Sequence, residues 1–187
     1  LFIMKVALVL TGYMRDWEPQ YKIYKEHIIE KYFPDIFISS YVYSQATINH
    51  NYESIDVSKV IDYYKPKNFI FRESESCPNN FECESNNYGV LGKDWIERQR
   101  RGWYTNKLSL TLFDADDYDI IIKARPENPV KNFSIVDKNL IIPAWKVHPG
   151  PCNPNESLFD RFAYGKSEYM KKYLNLYDYL QEMYNNG

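Results

Sequence analysis

The segment "DYDIIIKARPEN" (residues 117–128) indicates the fold and also where function is to be sought. Its three consecutive isoleucines predict a strand that is buried on both faces, as in a parallel sheet. The segment then presents Lys123, Arg125 and Glu127, with Pro126 between the last two. Proline cannot donate a ladder hydrogen bond, so strand pairing is expected to end there. Charges at that point indicate that the strand end either reaches the surface or faces a ligand.

Length and composition are those of a globular protein. The chain has 187 residues, of which 44% are hydrophobic and 26% are charged, and a chain of this length buries roughly 70% of its unfolded surface. The formal net charge is −2, whereas proteins that coat nucleic acids or membranes need a basic excess. The apolar run near the N-terminus is far too short to span a bilayer. We therefore expect no nucleic-acid partner and no transmembrane segment.

Three cysteines, Cys77, Cys83 and Cys152, bear on the cellular compartment. Cys77 and Cys83 are close enough in sequence for a small disulfide. An odd count without a signal peptide is more typical of reduced thiols. These features predict a cytoplasmic protein.

Strand and helix patterns alternate along the chain. Short apolar runs predict strands at residues 5–12, 35–42, 67–73, 118–127, 140–145 and 158–165. Apolar residues at helical spacing predict helices at residues 18–33, 56–64, 93–115 and 166–186, the third broken near Gly102. Asp56 or Ser58 is expected to cap the second helix, and Ser167 the last.

This alternation predicts one α/β domain over residues 1–187, with a mostly parallel central sheet flanked by helices. The chain stops in or just after the last helix, so it also suits the N-terminal part of a larger protein. Ligands of such sheets bind beyond the carboxyl ends of the strands. Three of the four predicted ends carry an arginine, namely Arg15, Arg72 and Arg125. Arginines along one edge predict an anionic ligand such as a phosphate or diphosphate.

Two other stretches offer binding groups. Gly12 follows the first strand and permits a sharp turn or the close approach of a ligand, although this turn matches neither GxGxxG nor a P-loop. On the predicted helix "RGWYTNKLSL" (residues 101–110), Tyr104 and Lys107 are three residues apart and share a face. Lys107 could meet a diphosphate, and a solvated helix face is the plainer interpretation.

Acidic residues offer a metal ligand and a base. Asp114-Ala115-Asp116 is a literal DxD, but it precedes its strand, so we interpret it as a turn. Glu127 follows the strand, and one carboxylate oxygen suffices to join a divalent metal that also holds phosphates and water. In "ESLFDRFAYG" (residues 156–165), Asp160 could contact a hydroxyl group or act as a base. An ordinary turn aspartate is the plainer interpretation of Asp160.

Five segments occur in a characteristic order: "TGYMR", "PDIFISSY", "WYTNKLSL", "YDIIIKARPE" and "DRFAYGKSEYMKKYLNLY". In this order the chain resembles the small GT-A-type glycosyltransferase-like proteins of large DNA viruses and of bacterial surface-polysaccharide clusters. It is similar in size and layout to chlorovirus glycosyltransferase domains. The resemblance covers nearly the whole chain and rests on the order of the segments more than on any single motif.

The resemblance implies a single Rossmann-like GT-A domain. Such a domain transfers a sugar from a nucleoside diphosphate sugar, with a UDP-sugar favoured, to a glycan or glycoprotein acceptor. Mn²⁺ or Mg²⁺ is the implied cofactor, and Glu127 maps onto the metal-binding carboxylate. The chain departs from the family pattern there, since Glu replaces Asp and the first Asp of the motif is absent. A viral origin would place the protein in the host-cell cytoplasm.

The same resemblance assigns roles to individual residues. Asp160 is the expected base if the enzyme inverts, and the segment from Asp160 to Gly165 is implied to lie beside the donor sugar or the acceptor. The expected nucleotide-sugar site comprises Gly12, Arg15, Tyr41, Tyr104, Lys107, Arg125 and Arg161. Aromatic side chains such as Tyr13, Trp17 and Tyr41 are expected to stack on the base or line the sugar pocket.

Two further interpretations stay open from the sequence. The incomplete DxD suits a non-catalytic module that binds nucleotide sugars or glycans. A nucleotidyltransferase would need paired carboxylates on one strand for two metals, and the close pairs at residues 114–117 precede their strand.

Overall fold

The computed structural model of the chain describes residues 4–45, 52–73, 76–78, 92–128, 130–136, 138–142, 161–180 and 182. The strands are β1 (Val6–Thr11), β2 (Asp35–Tyr41), β3 (Tyr43–Gln45), β4 (Tyr52–Ser54), β5 (Asn68–Arg72), β6 (Ile120–Ala124), β7 (Leu140–Ile141) and β8 (Phe162–Lys166). The α-helices are α1 (Trp17–Tyr24), α2 (Glu30–Tyr32), α3 (Val57–Tyr64), α4 (Gly92–Ser109) and α5 (Ser167–Leu174), and a π-helical segment (Lys25–Ile29) joins α1 to α2.

A six-stranded, mostly parallel sheet forms the centre of the fold, and the predicted α/β class is confirmed. Its strand order is β5-β2-β1-β6-β8-β7, and β3 pairs with β4 in a separate hairpin. The neighbours β5, β2, β1 and β6 are parallel, whereas β8 is antiparallel to both β6 and β7. The chain moves outward from β1 through β2 to β5 and then returns to β6 on the other side of β1. The strand order therefore reverses between β1 and β6, which is the switch point where open α/β sheets bind ligands.

Both faces of the sheet are covered, which explains why its central strands are apolar without alternation. Leu8, Leu10 and Ile122 face α1 and α3, whereas Val9 and Ile121 face α4 and α5. All five of these side chains are fully buried. Burial of one such side chain contributes about 1.5–3 kcal/mol, so the sheet sandwich is the main source of stability.

The helices differ from the predictions at several ends. Asp56 caps α3 as predicted, because its carboxylate accepts a 2.9 Å hydrogen bond from the amide of Lys59. Ser167 does not cap α5: it is the first helical residue, and Lys166 holds the cap position without a side-chain hydrogen bond. Helix α5 ends at Leu174 and a 3₁₀ turn (Leu176–Tyr179) follows, so the predicted single helix was too long.

Helix α4 continues through Gly102, so the predicted break there is wrong. Glycine costs about 1 kcal/mol in a helix, but the adjacent Trp103 and the nearby Thr105 are buried against the sheet and hold the backbone. The helix ends at Ser109 instead of residue 115. The Ser109 hydroxyl bonds back to the carbonyl of Asn106 at 2.6 Å, and tight turns follow.

The β3–β4 hairpin was not predicted. The strand or sheet edge predicted at residues 158–165 corresponds to β8, which is an interior strand because it pairs with both β6 and β7. Among the described helices, none is both long and apolar enough to cross a membrane. Cys83, Cys152 and most of the predicted loop at residues 74–92 lie outside the described residues.

Candidate functional site

The turn after β1 ties two strand ends together. Gly12 has φ 102°, a conformation that side-chain-bearing residues rarely adopt. Its amide donates to the carbonyl of Ser39 at 3.1 Å, and its carbonyl accepts from the hydroxyl of Ser40 at 2.7 Å. A Cβ on Gly12 would lie 3.7 Å from Cγ and Nε of Arg125, which is ordinary contact. Glycine is needed here for its backbone conformation, and its amide is engaged within the fold.

Beyond the switch point, the described residues pair the carboxylate of Glu127 with the guanidinium of Arg125, and Arg15 and Arg161 are nearby. Nη2 of Arg125 lies 2.6 Å from Oε1 of Glu127, and the two side chains are 21% and 18% exposed. Burial lowers the pKa of Arg15; Glu127 opposes this, while Arg125 and Arg161 add to it. Each of these groups is thus within electrostatic reach of Arg15. We call Arg15, Arg125, Arg161 and Glu127 the guanidinium cluster.

The backbone at the end of β6 is fixed from two sides. The amide of Arg125 donates to the carbonyl of Arg161 at 2.8 Å, so pairing with β8 continues one residue past β6. The hydroxyl of Tyr24 donates to the carbonyl of Arg125 at 2.9 Å. Burial, with Tyr64 and Glu127 adding to it, raises the pKa of Tyr24 well above its ordinary value, so this hydroxyl stays a donor. Pro126 is buried and supplies no further ladder donor, which ends the pairing as predicted.

An aromatic stack connects the cluster to β5. The ring of Tyr13 stacks on Tyr41 with centroids 4.8 Å apart, and the guanidinium of Arg15 lies 5.1 Å from the Tyr13 centroid. Tyr41 is only 2% exposed. Its ring is covered by Arg72 at 4.7 Å, and its hydroxyl contacts Arg72 and Thr105. A ligand at this edge would therefore meet the half-buried Tyr13 before Tyr41.

A polar network that the sequence did not indicate lies beneath this edge, between the sheet and α4. The hydroxyl of Thr11 donates to Oδ1 of Asn106 at 2.7 Å, and the hydroxyl of Ser39 donates to the carbonyl of Thr105 at 3.0 Å. All four residues are buried. The available signal was the Thr-Asn pair inside the apolar face of "RGWYTNKLSL". Because these hydrogen bonds are buried, they fix α4 against the ends of β1 and β2.

Tyr104 and Lys107 lie on the flank of α4. The ring of Tyr104 is 5.0 Å from both the Tyr177 ring and the Arg72 guanidinium. Lys107 forms an ion pair with Asp178 and lies 5.7 Å from the Tyr177 ring. Tyr104 is therefore connected to the stack through Arg72, whereas the described contacts of Lys107 join it to the 3₁₀ turn.

The remaining candidates fall in different places. Asp160 and His148 lie outside the described residues, and Arg161 is exposed at the start of β8. Lys123 is 1% exposed, between Val9 and Ala163 of the neighbouring strands, so it belongs to the core face and not to the strand end.

The literal DxD is a turn, as predicted. Asp114 precedes a 3₁₀ turn (Ala115–Asp117) and its carboxylate accepts from the amide of Asp116. Asp116 pairs with Lys171 at 2.8 Å. This turn leads into β6, so it lies at the amino ends of the parallel strands, away from the guanidinium cluster.

The residues of the cluster do not fit a divalent cation by themselves. Oε2 of Glu127 is buried and accepts no hydrogen bond from the described residues, so it could take a ligand. Its companion Oε1 is held by Arg125, and a cation bound through Glu127 would lie next to that guanidinium group, with Arg15 within electrostatic reach. In the described ranges no group of three His, Cys, Asp or Glu side chains is placed to hold a metal ion.

Comparison with known proteins gives no relative from which to transfer a function. No protein-family model, curated protein or solved structure matches the chain. The resemblance to GT-A-type glycosyltransferases therefore stays a prediction, and function is proposed from the geometry of the site.

Proposed function

We propose that this chain is a GT-A-type glycosyltransferase that binds a nucleoside diphosphate sugar, preferably a UDP-sugar, at the guanidinium cluster. The sugar is transferred to a glycan or glycoprotein acceptor. One observation carries the proposal: Arg125 and Arg161, whose backbones are hydrogen-bonded, both lie within electrostatic reach of Arg15 beyond the ends of β1 and β6, where the strand order reverses.

The charge of the cluster suits a diphosphate. Among the described residues it combines the guanidinium groups of Arg15, Arg125 and Arg161 with the carboxylate of Glu127. Guanidinium groups bind phosphate oxygens through paired hydrogen bonds that fix orientation as well as charge. When the sugar leaves, negative charge grows on the diphosphate, and fixed cations at that position stabilise the transition state.

Tyr13 supports the nucleotide part of the proposal. Its ring is half-buried, rests on Tyr41 and lies next to the guanidinium of Arg15. A rigid aromatic face beside a phosphate site is a surface on which a base or a sugar ring stacks. Trp17 is 8% exposed and packs against Tyr63 and Tyr64, so it contributes to the core instead.

Asp160 remains the proposed base for an inverting reaction. It precedes Arg161, whose carbonyl accepts the hydrogen bond from the amide of Arg125. The proposal predicts that Asp160→Asn lowers transfer to the acceptor far more than it lowers donor binding.

A non-catalytic nucleotide-sugar or glycan-binding module is the second candidate. It is favoured by the ion pair of Glu127 with Arg125, since Glu127 is the carboxylate that the structure describes inside the cluster and it is already engaged. Transfer of a radiolabelled sugar to any acceptor, or slow hydrolysis of the donor, would exclude the module. Donor binding without either reaction would favour it.

The first test is a thermal-shift screen of UDP-, GDP- and TDP-sugars on the wild type and on Arg125→Met. A ligand at 100 times its dissociation constant stabilises the fold by about 2.7 kcal/mol, which is readily seen. We expect one donor class to raise the melting temperature of the wild type but not that of Arg125→Met. Lys172→Met is the matched control, because it removes one positive charge from an exposed residue of α5. A wild type that responds to none of these donors would contradict the proposal.

A further inference from the structure

We infer that the guanidinium cluster holds the diphosphate directly, without a divalent cation, and that Glu127 orients Arg125 instead of binding a metal. The inference rests on the proposed function for the identity of the ligand, a nucleoside diphosphate. Its physical content is narrower: Arg15 and Arg125 supply the positive charge that a metal ion would otherwise supply.

The first support is the geometry of the ion pair. Nη2 of Arg125 lies 2.6 Å from Oε1 of Glu127, and both side chains are about four-fifths buried. Such a charge-assisted contact is strong where water is largely excluded. A metal ion bound through this carboxyl group would have to weaken the contact and leave Arg125 beside a new positive charge. Guanidinium has five donors, so Arg125 can keep Glu127 and still bind phosphate.

The second support is the balance of charge around Glu127. Arg125 and Arg161 both disfavour the charged form of Arg15, whereas Glu127 favours it. Glu127 therefore offsets part of the repulsion that Arg125 and Arg161 exert on Arg15. A divalent cation next to Arg15 would add to that repulsion, while a diphosphate would relieve it.

The third support is how firmly Arg125 is positioned. Its amide is bonded to Arg161 and its carbonyl to Tyr24, so the chain is fixed on both sides of its Cα. The buried ring of Tyr24 comes from α1, whereas Arg161 immediately precedes β8. A guanidinium on a fixed backbone, with Glu127 at one edge, loses little freedom on binding an anion.

The substitution Glu127→Gln distinguishes the two possible roles of Glu127 by its effect on diphosphate binding. If Glu127 bound a metal ion, the substitution would abolish binding that depends on the metal. If Glu127 orients Arg125, the amide oxygen of glutamine can still accept from Arg125 while a negative charge beside the phosphates is removed. We therefore expect Glu127→Gln to bind a diphosphate as tightly as the wild type, or more tightly.

Calorimetric titration of inorganic pyrophosphate and of UDP, each in EDTA and in Mn²⁺, tests the inference. We expect both probes to bind the wild type in EDTA, and Mn²⁺ to leave the affinity unchanged or to lower it. Arg15→Met should weaken binding at least tenfold, and Lys172→Met should leave it unchanged. Each variant is first checked for an unaltered far-ultraviolet spectrum, and the metal dependence of the wild type gives an answer that needs no variant.

The outcomes separate the inference from the proposed function. Binding in Mn²⁺ that vanishes in EDTA and in Glu127→Gln would overturn the inference and leave the proposed function standing. Pyrophosphate binding in EDTA without binding of any nucleotide sugar would support the inference and overturn the proposed function. Failure of both probes to bind in either buffer would overturn both.

Discussion

Charged side chains are arranged differently at the two ends of the parallel strands, which we call the amino edge and the carboxyl edge of the sheet. At the amino edge, Asp35 pairs with Lys67 at 2.6 Å and accepts from the hydroxyl of Tyr118 at 2.8 Å. Asp119 accepts from the amide of Lys5, so these acids have matching donors. At the carboxyl edge, the described residues bring Arg15, Arg125 and Arg161 within reach of one another's charge through Arg15, and Glu127 pairs with Arg125. The first arrangement stabilises the fold, whereas the second gathers guanidinium groups where we propose that an anion binds.

The largest effect is expected when one positive side chain is removed at each edge, because one removal should affect ligand binding and the other should affect stability. Arg125→Met should weaken UDP binding between tenfold and about a hundredfold, because hydrogen bonds to charged groups contribute about 1.5–3 kcal/mol. Lys67→Met should leave UDP binding unchanged and lower the free energy of unfolding by up to about 1 kcal/mol. Calorimetry and urea denaturation on both variants measure the two quantities. The distinction between the edges fails if Lys67→Met weakens binding as much as Arg125→Met does.

A glycine pair gives the next largest effect. Gly12→Ala should destabilise the fold by about 1–3 kcal/mol, because alanine is strained at the positive φ of this turn. Gly102→Ala, inside the continuous helix α4, should instead stabilise the fold by about 0.5–1 kcal/mol. Urea denaturation of both variants checks the signs. Equal effects would mean that the turn after β1 has no special conformational requirement.

Lowering the pH should reduce the free energy of unfolding because Asp35, at the amino edge, becomes protonated. Burial alone would raise the pKa of Asp35, but the hydrogen bonds from Lys67 and Tyr118 outweigh it and bring the pKa below its ordinary value. A carboxyl group with a lowered native pKa stabilises the fold above its unfolded pKa of about 3.9, and this stability is lost as the pH falls further. Asp35→Asn should therefore remove about 1 kcal/mol at pH 7 and flatten the acid limb of the stability profile. An unchanged acid limb would show that this network contributes nothing to the pH dependence.

The smallest effect is expected at a solvent-exposed pair of the same edge. Lys171 and Asp116 are 2.8 Å apart, but their side chains are 43% and 69% exposed. Exposed pairs are screened by water and contribute little. Lys171→Met should leave the melting temperature within experimental error, and a clear fall would mean that surface charges at this edge carry more stability than burial indicates.

The sequence could predict those elements that are specified by a local pattern of apolar residues or by a single proline. The three isoleucines before Lys123 predicted the central strand β6, and Pro126 predicted where its pairing ends. The rule that ligands lie beyond the carboxyl ends of parallel strands predicted Arg15 and Arg125 at the same edge. The strand predictions depend on neighbouring residues, and the shared edge follows once the strands are taken to be parallel.

Long-range pairing could not be predicted in the same way. Lys123 was expected at the strand end with Arg125, but strand alternation turns it to the same face as Ile121, under α4. The hydrogen bond between Thr11 and Asn106 joins residues that are far apart in the chain. The Thr-Asn pair in α4 shows that a polar group is buried there, but no local pattern identifies its partner. The hairpin strands β3 and β4 have three residues each, too few for a periodicity to emerge.

Calorimetric titration of UDP into the wild type and Arg125→Met tests the central claim most directly, namely that the guanidinium cluster is a diphosphate site. We predict saturable binding to the wild type and at least tenfold weaker binding to Arg125→Met, with both proteins equally folded. The same affinity for both proteins, or no binding to the wild type, would contradict the assignment of the site.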